Sequence, residues 1–313
     1  MSTTEASTHR ICPLCGGGGR RTAFPFATRF NGREFSYVAC AQCSCVYVDP
    51  VPDAETFSRM YAKAHYHDAH YADADQAAYL DSARMLRGLL PPGARVLDYG
   101  CGTGAFLQAV RTVGLEPFGV EFDHEAAQAA SRRSQCEVQT VDAFWAGQAS
   151  GFDAIHLGDV LEHLPDPGAV LRQLLARLRP GGVLFAEGPL EVNPSPVYWC
   201  ATVFGWAKRL ARPGFMASHP PTHLYRANGR QQLAFFHRVE PRLALRHWEL
   251  YETGWPYARG GRMQRTIAGA AVAFSGLRRS LFGNRFRGLF LFDPARQVQP
   301  AAVAEPIEEV QRA

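Results

Sequence analysis

The alternation of apolar and polar positions is most regular between residues 93 and 188. Residues 94–98 form a short apolar run ending in Asp98, followed by a glycine-rich turn and a helical stretch to about Val113. Residues 117–121 read as a second strand and 124–133 as the next helix. Residues 137–141 and 152–157 read as third and fourth strands. An apolar-spaced helix over 167–178 precedes a fifth strand at 182–187. Strands separated by helical stretches of about ten to fifteen residues indicate βαβ units on a parallel sheet. Residues 243–251 supply a sixth strand and 289–292 a seventh, antiparallel one. The expected fold is α/β, Rossmann-like and doubly wound, on a mostly parallel seven-stranded sheet.

The flanking segments pattern differently. Residues 1–50 are rich in Cys and Gly, with short β-like runs. Residues 51–92 read as a helical cap, rich in Ala, Tyr and His, that ends at Pro91-Pro92-Gly93. The main domain then covers 93–299, with a Pro- and aromatic-rich lid insertion at 189–222, and 300–313 is an Ala- and Glu-rich tail. Tyr198, Trp199, Phe204, Trp206 and Phe215 give the lid apolar bulk, either over a substrate or against the cap. Ile267, Ala270, Ala271, Phe274, Leu277 and Leu281 recur at helical spacing with arginines on either side. Such a face either covers the sheet or meets an anionic substrate or lipid.

Composition narrows the class. The 313 residues are 47% hydrophobic and 20% charged, the balance of a globular chain with a sizeable core. A net charge of +4 does not point to nucleic acid, and no nucleic-acid partner is expected. Lys63 and Lys208 are the only lysines, and Arg259, Arg262, Arg265, Arg278, Arg279, Arg285 and Arg287 lie in a stretch without Asp or Glu. That concentrates positive charge locally. The first ten residues lack the apolar core of a secretory signal. The runs 197–207 and 266–277 are too short to span a bilayer. The expected location is cytoplasmic, with peripheral membrane contact left open. Cysteines stay reduced there, so the eight present read as metal ligands or packed thiols.

The strongest motif is Val96-Leu97-Asp98-Tyr99-Gly100-Cys101-Gly102-Thr103-Gly104, where the first strand of the domain feeds its first helix. Glycines let the backbone turn tightly and approach a ligand. The spacing G-x-G-x-G departs from the dinucleotide fingerprint, which disfavours a nicotinamide oxidoreductase. Asp98 suits a ligand carrying an ammonium and a sulfonium better than a pyrophosphate. Glu121 ends the next strand, where a carboxylate can accept both ribose hydroxyls. Asp142, in Val141-Asp142-Ala143, is placed to take an adenine amino group. Two further turns, Gly158-Asp159-Val160-Leu161-Glu162-His163-Leu164-Pro165-Asp166-Pro167 and Leu178-Arg179-Pro180-Gly181-Gly182, sit beside the fourth and fifth strands.

Over residues 93–188 this series resembles the class I S-adenosylmethionine-dependent methyltransferases, and V-L-E-H-L-P-D-P followed by L-R-P-G-G is similar to their small-molecule branch. The resemblance implies that Asp98, Gly100, Cys101, Gly102, Glu121 and Phe122 line the methionine and ribose portions of the cofactor. It places Asp142 and Ala143 beside adenine, and Leu157 and Gly158 on the inner wall.

Cys12-Pro13-Leu14-Cys15 and Cys40-Ala41-Gln42-Cys43 are two C-x-x-C knuckles. Four thiolates so spaced can surround one zinc ion tetrahedrally and leave no open position, so the metal is expected to be structural. Cys45 is a spare that could replace Cys43. The whole arrangement resembles a methyltransferase subgroup with an N-terminal four-cysteine, zinc-ribbon-like module and a short helical cap. That resemblance implies a small-molecule acceptor such as a nucleotide-linked sugar, glycan precursor or natural product, which the local arginines would suit if it is anionic. O-, N- and C-methylation stay open, as does oligomeric state. The contrasting reading is a zinc-ribbon regulatory or nucleic-acid-binding module without turnover.

Methyl transfer is an in-line displacement in which alignment supplies much of the rate, and a hydroxyl or carbon nucleophile also needs a base. His223, in Pro220-Pro221-Thr222-His223-Leu224-Tyr225, is the first candidate, by its near-neutral pKa and its resemblance to bases of the subgroup. Glu187 is the second. His163 reads as a structural or cofactor-side residue and His156 as a packed core histidine. Tyr66, His67, His70 and Tyr71 read mainly as helix surface, and His65, His67 and His70 lack a carboxylate pattern to complete a metal site.

Overall fold

The computed structural model describes residues 10–61, 76–212, 214, 216–277, 281–293 and 295. Two sheets organise it. The smaller is antiparallel, in the order β1 (Arg20–Phe30), β2 (Arg33–Cys40), β3 (Val46–Asp49) and β9 (Tyr225–Arg226). Its fourth strand comes from far along the chain: Val46 pairs with Arg226 and Tyr47 with Tyr225. The cysteine-rich module is therefore closed by the segment that follows His223. Helices α1 (Ala54–Tyr61) and α2 (Gln76–Arg87) come next. Tyr66, His67, His70, Tyr71 and His65 lie outside the described residues, as do Phe215, Arg278, Arg279 and the tail from residue 300.

The larger sheet has seven strands in the order β10-β11-β8-β7-β4-β5-β6. The strands β4 (Arg95–Tyr99), β5 (Glu116–Glu121), β6 (Val138–Thr140), β7 (Phe152–Gly158) and β8 (Leu178–Pro189) are parallel. β11 (Arg285–Phe292) runs antiparallel to both β8 and β10 (Leu243–Tyr251). This is the expected mostly parallel, doubly wound sheet. Central strands covered on both faces read as nearly unbroken apolar runs. Val96, Leu97, Val120, Ala154, Ile155, Leu157, Leu184 and Phe185 are accordingly all fully buried.

Helices α3 (Ala105–Thr112), α4 (His124–Ser134), α5 (Val141–Ala146), α6 (Pro167–Leu175), α7 (Pro196–Ala211), α8 (Gly229–Val239) and α9 (Arg262–Leu277) complete the described elements, with short 3-10 turns at Leu161–His163 and Tyr257–Arg259. Three boundaries differ from the pattern reading. The third strand of the domain stops at Thr140, whose hydroxyl accepts from Ala143 N–H and starts α5 there. The helix read to residue 178 stops at Leu175, and Leu178 already pairs with Phe152. The glycine pair Gly181-Gly182 is a bulge inside β8, between the registers Phe152↔Leu178 and Ala154↔Val183, not a turn before it.

Candidate functional site

β4 lies between β5 and β7, so the strand order reverses at β4 and opens a crevice at the carboxyl ends of these strands. The turn leaving β4 is built on left-handed glycines: Gly100 at φ 82°, Gly102 at 51° and Gly104 at 75°. A Cβ on Gly100 would stand 2.6 Å from Val160 Cγ2. Glu121, at the end of β5, ties the turn down. Its Oε2 accepts from Gly102 N–H at 2.7 Å and its Oε1 from Phe122 N–H at 2.8 Å. The Phe122 ring is exposed beside it, 6.3 Å from that of Tyr61. Cys101 is buried, and Asp142 and Ala143 are exposed in the first turn of α5. Leu157 is fully buried, and Gly158 is half-buried against the His156 ring.

Asp98 is not alone in this crevice. His156 Nδ1 lies 2.7 Å from Asp98 Oδ1 and its Nε2 3.4 Å from Glu187 Oε1, with the ring stacked on Phe106 at 3.8 Å. Burial alone would lower the imidazole pKa, but Asp98 and Glu187 outweigh it and push the ring up to about 9. Glu187 also accepts from Arg287 Nε at 2.7 Å. Against its burial, His156 and Arg287 hold the Glu187 carboxyl down at about 2. The core histidine of the sequence is thus a charged strut between two carboxylates. The pattern could not show this, because position 156 only reads as one more inward position of a buried strand.

The loops after β7 and β8, together with the segment at β9, carry a second cluster. His223 Nδ1 donates to Glu191 Oε2 at 2.8 Å, which places the lone pair of the neutral ring on Nε2. Arg226 Nε lies 3.4 Å from the same oxygen. Burial would raise the Glu191 carboxyl, yet Arg226 and His223 hold it at about 2. Burial pulls His223 down, and Glu191 outweighs that and raises it above the ordinary histidine range.

The His163 ring packs edge-on against His223 at 4.8 Å, and its Nδ1 meets Thr222 O at 2.8 Å and Tyr61 OH at 2.9 Å. Burial and the neighbouring His223 lower His163 to about 3, so this ring is neutral. Glu162 is buried with Oε1 lacking a hydrogen-bond partner, and burial drives its carboxyl up to about 8. A carboxylate oxygen of Glu162 and one nitrogen each of His163 and His223 lie within 4.8 Å of one another, a donor set that could hold a divalent cation. Glu191 was not singled out in the sequence; Glu162 stood there only as part of the turn after the fourth strand, and Tyr61 only as part of the resemblance to the zinc-module subgroup. For Glu191 the one available signal was its place four residues beyond Glu187, just past the end of β8.

In the smaller sheet the Sγ atoms of Cys12, Cys15, Cys40 and Cys43 all lie within 4.8 Å of one another. Cys12 and Cys43 are 3.6 Å apart and Cys15 and Cys40 3.5 Å. A tetrahedral centre of one zinc and four sulfurs needs sulfur atoms about 3.8 Å apart, so the four thiols fit the ion with little movement. Cys45 stands outside this set and directs its thiol to Val46 O. Arg10 bridges the module to the second cluster, donating to Val48 O, Leu224 O and Pro165 O.

The family described as a methyltransferase domain matches residues 70–212, which hold the glycine turn, Glu121 and the loops after β7 and β8. Over those residues the chain is similar to the methyltransferase domain family. Curated relatives are similar over part of the chain. The ubiquinone biosynthesis O-methyltransferase of Xanthomonas axonopodis pv. citri (strain 306) is 35% identical over 131 residues, 40% of this chain and 53% of the relative. Its counterpart in Xanthomonas oryzae pv. oryzae (strain PXO99A) is 34% identical over 127 residues, 38% and 52% of the two chains. The chain spans about half the length of the curated relatives it matches. Among solved structures, the 1,6-didemethyltoxoflavin-N1-methyltransferase of Burkholderia thailandensis superposes with a TM-score of 0.52 and 17% identity. The match covers 81% of this chain and 96% of that one, a likeness of fold.

Proposed function

We propose that the chain transfers a methyl group from S-adenosylmethionine to a hydroxyl of a small-molecule acceptor, with His223 as general base. The observation that carries the reading is the 2.8 Å bond from His223 Nδ1 to buried Glu191, which fixes the tautomer and leaves Nε2 as proton acceptor. The names of the curated O-methyltransferase relatives favour oxygen as the methylated atom.

The residues at the crevice fit the cofactor. The glycine turn leaves room that a Cβ at Gly100 would lose to Val160, and the neighbouring strands β4 and β5 carry the carboxylates Asp98 and Glu121. When bound, S-adenosylmethionine supplies a methyl group already activated by its sulfonium. Glu121, whose carboxylate already accepts from Gly102, Phe122 and Asp123 N–H, would also accept the ribose hydroxyls. Asp98, steadied by His156, would face the methionine end, and Phe122, Asp142 and Ala143 the adenosine end. Leu157 and Gly158 would close the inner wall. His223 would take the acceptor proton, and Glu191 would stabilise the imidazolium that forms. Glu187 suits this step poorly. Its carboxyl is held near pKa 2 by His156 and Arg287, which makes it a weak base; its part is to hold that pair. The four cysteines would hold one structural zinc. The module is stapled through β9 to the segment bearing His223, so the metal would fix the base in place.

Calorimetric titration with S-adenosylhomocysteine should give saturable binding. Incubation with S-adenosylmethionine and a panel of hydroxylated small molecules should give products heavier by about one CH2. Folded protein that binds no S-adenosylhomocysteine would overturn the reading.

A further inference from the structure

Helix α7 is apolar and lies largely outside the core. Of its residues Pro196–Ala211, only Val197 is buried. Val203, Phe204 and Leu210 are 68%, 67% and 77% exposed. Helix α9 packs against α7 and is inverted in the same sense. Its buried positions are the small residues Ala268, Ala271 and Ser275, while Met263, Val272 and Phe274 are exposed. Of the stripe read from the sequence, Ala271 packs inward while Ala270 and Phe274 are exposed: small side chains let the helix lie close, and the bulky ones turn to solvent. The Phe282 ring joins the two helices, 4.8 Å from Phe274 and 6.4 Å from Trp199.

Ten of the thirteen large hydrophobic side chains exposed among the described residues belong to α7, α9 and their flanking loops. Scattered apolar residues on a surface need no explanation, but a concentration of this kind marks an interaction face.

Charge identifies what it meets. No Asp or Glu occurs between Val192 and Val239, or between Thr253 and Phe292. Lys208 and Arg212 stand exposed at the end of α7, and Arg259, Arg262 and Arg265 at the start of α9. A face with bulky aromatics, aliphatics and exposed cations but no carboxylates matches a membrane interface, where apolar groups enter the acyl boundary and cations meet lipid phosphates. A second copy of the chain would bring the same cations against themselves. Among the described residues no helix is long and apolar enough to cross a membrane, so contact would be with the bilayer surface.

We infer that α7 and α9 form a docking face for the surface of an anionic lipid bilayer. This inference stands apart from the methyl transfer.

The test uses the full chain with vesicles of phosphatidylcholine alone and of phosphatidylcholine mixed with phosphatidylglycerol. Cosedimentation should favour the mixed vesicles by about tenfold or more, and added salt should weaken it. The double variants Val203→Glu/Phe204→Glu and Arg262→Gln/Arg265→Gln should each reduce partitioning by about tenfold. Thermal unfolding and S-adenosylhomocysteine binding, read on the same preparations, should be unchanged. Brominated lipid should quench the fluorescence of the wild-type chain, through exposed Trp199, Trp206 and Trp255. Three results would overturn the inference: no partitioning onto mixed vesicles, equal partitioning by wild type and both variants, or sedimentation velocity showing a stable dimer that Val203→Glu/Phe204→Glu dissociates and that binds no vesicles.

Discussion

His223 and Glu191 are separated by 32 positions in the chain and meet as a buried histidine–carboxylate pair at 2.8 Å. The carboxylate settles both the orientation of the ring and its proton affinity. It raises the His223 pKa against the effect of burial. A base must be neutral to act, so turnover should rise with pH through that raised pKa. Glu191→Gln removes the charge, and the acid limb of kcat/KM against pH should move to lower pH while the maximal rate falls. An acid limb at the same pH in wild type and variant would separate His223 from the rate.

Loss of the base itself should be more severe. His223→Asn is expected to lower turnover by about 10²–10⁴-fold while leaving S-adenosylhomocysteine affinity nearly intact. Near-wild-type turnover would place the base elsewhere; a parallel loss of cofactor affinity would make His223 structural.

Glu121 holds the glycine turn as well as the proposed ribose site, and two variants separate these roles. Glu121→Ala should weaken S-adenosylhomocysteine binding by about 1.5–3 kcal/mol, the scale of a charged hydrogen-bond partner. Glu121→Gln, which keeps one carbonyl acceptor, should lose less. Calorimetry on both, with unchanged affinity for Glu121→Ala, would remove Glu121 from the site.

The strut of His156 between Asp98 and Glu187 makes stability depend on pH. The folded pKa of His156 is raised to about 9 from 6.5. Its contribution is therefore fully present below about pH 6.5 and is lost as pH rises through 9, on the order of 3 kcal/mol. Glu187 is lowered, so its contribution is present above pH 4.5 and is lost on acidification toward 2. Urea unfolding from pH 6 to 10 should show the alkaline loss in wild type and not in His156→Asn. The same slope in both would locate the titration in another group.

The cysteine cluster predicts about one zinc per chain by elemental analysis. Cys15→Ser should lower zinc content and stability together. Cys45→Ser should retain the metal, because Cys45 lies outside the four-sulfur set. Metal-free folded protein with four titratable thiols would remove the zinc. A second divalent equivalent that His163→Ala abolishes would locate a cation at Glu162, His163 and His223.

Local physics made much of this protein legible in its sequence. A parallel strand buried on both faces has to be apolar, and a turn that swings back toward a ligand needs glycine, so β4, β5, β7 and the Gly100–Gly104 turn are written in consecutive residues. Paired knuckles likewise announce Cys12, Cys15, Cys40 and Cys43. Only the tertiary structure decided which distant polar groups face each other. Glu191 reaches His223, His156 reaches Asp98 and Glu187, and Tyr225 closes the sheet of the cysteine module, because separate strands deliver them to one end of the molecule. The bulky face of α9 follows the same rule. Its apolar period showed that one side differs from the other, but only the packing of Ala268, Ala271 and Ser275 determined which side turns inward. Periodicity fixes the relative phase of side chains along an element, and the phase against the core depends on neighbours that folding brings in from elsewhere in the chain.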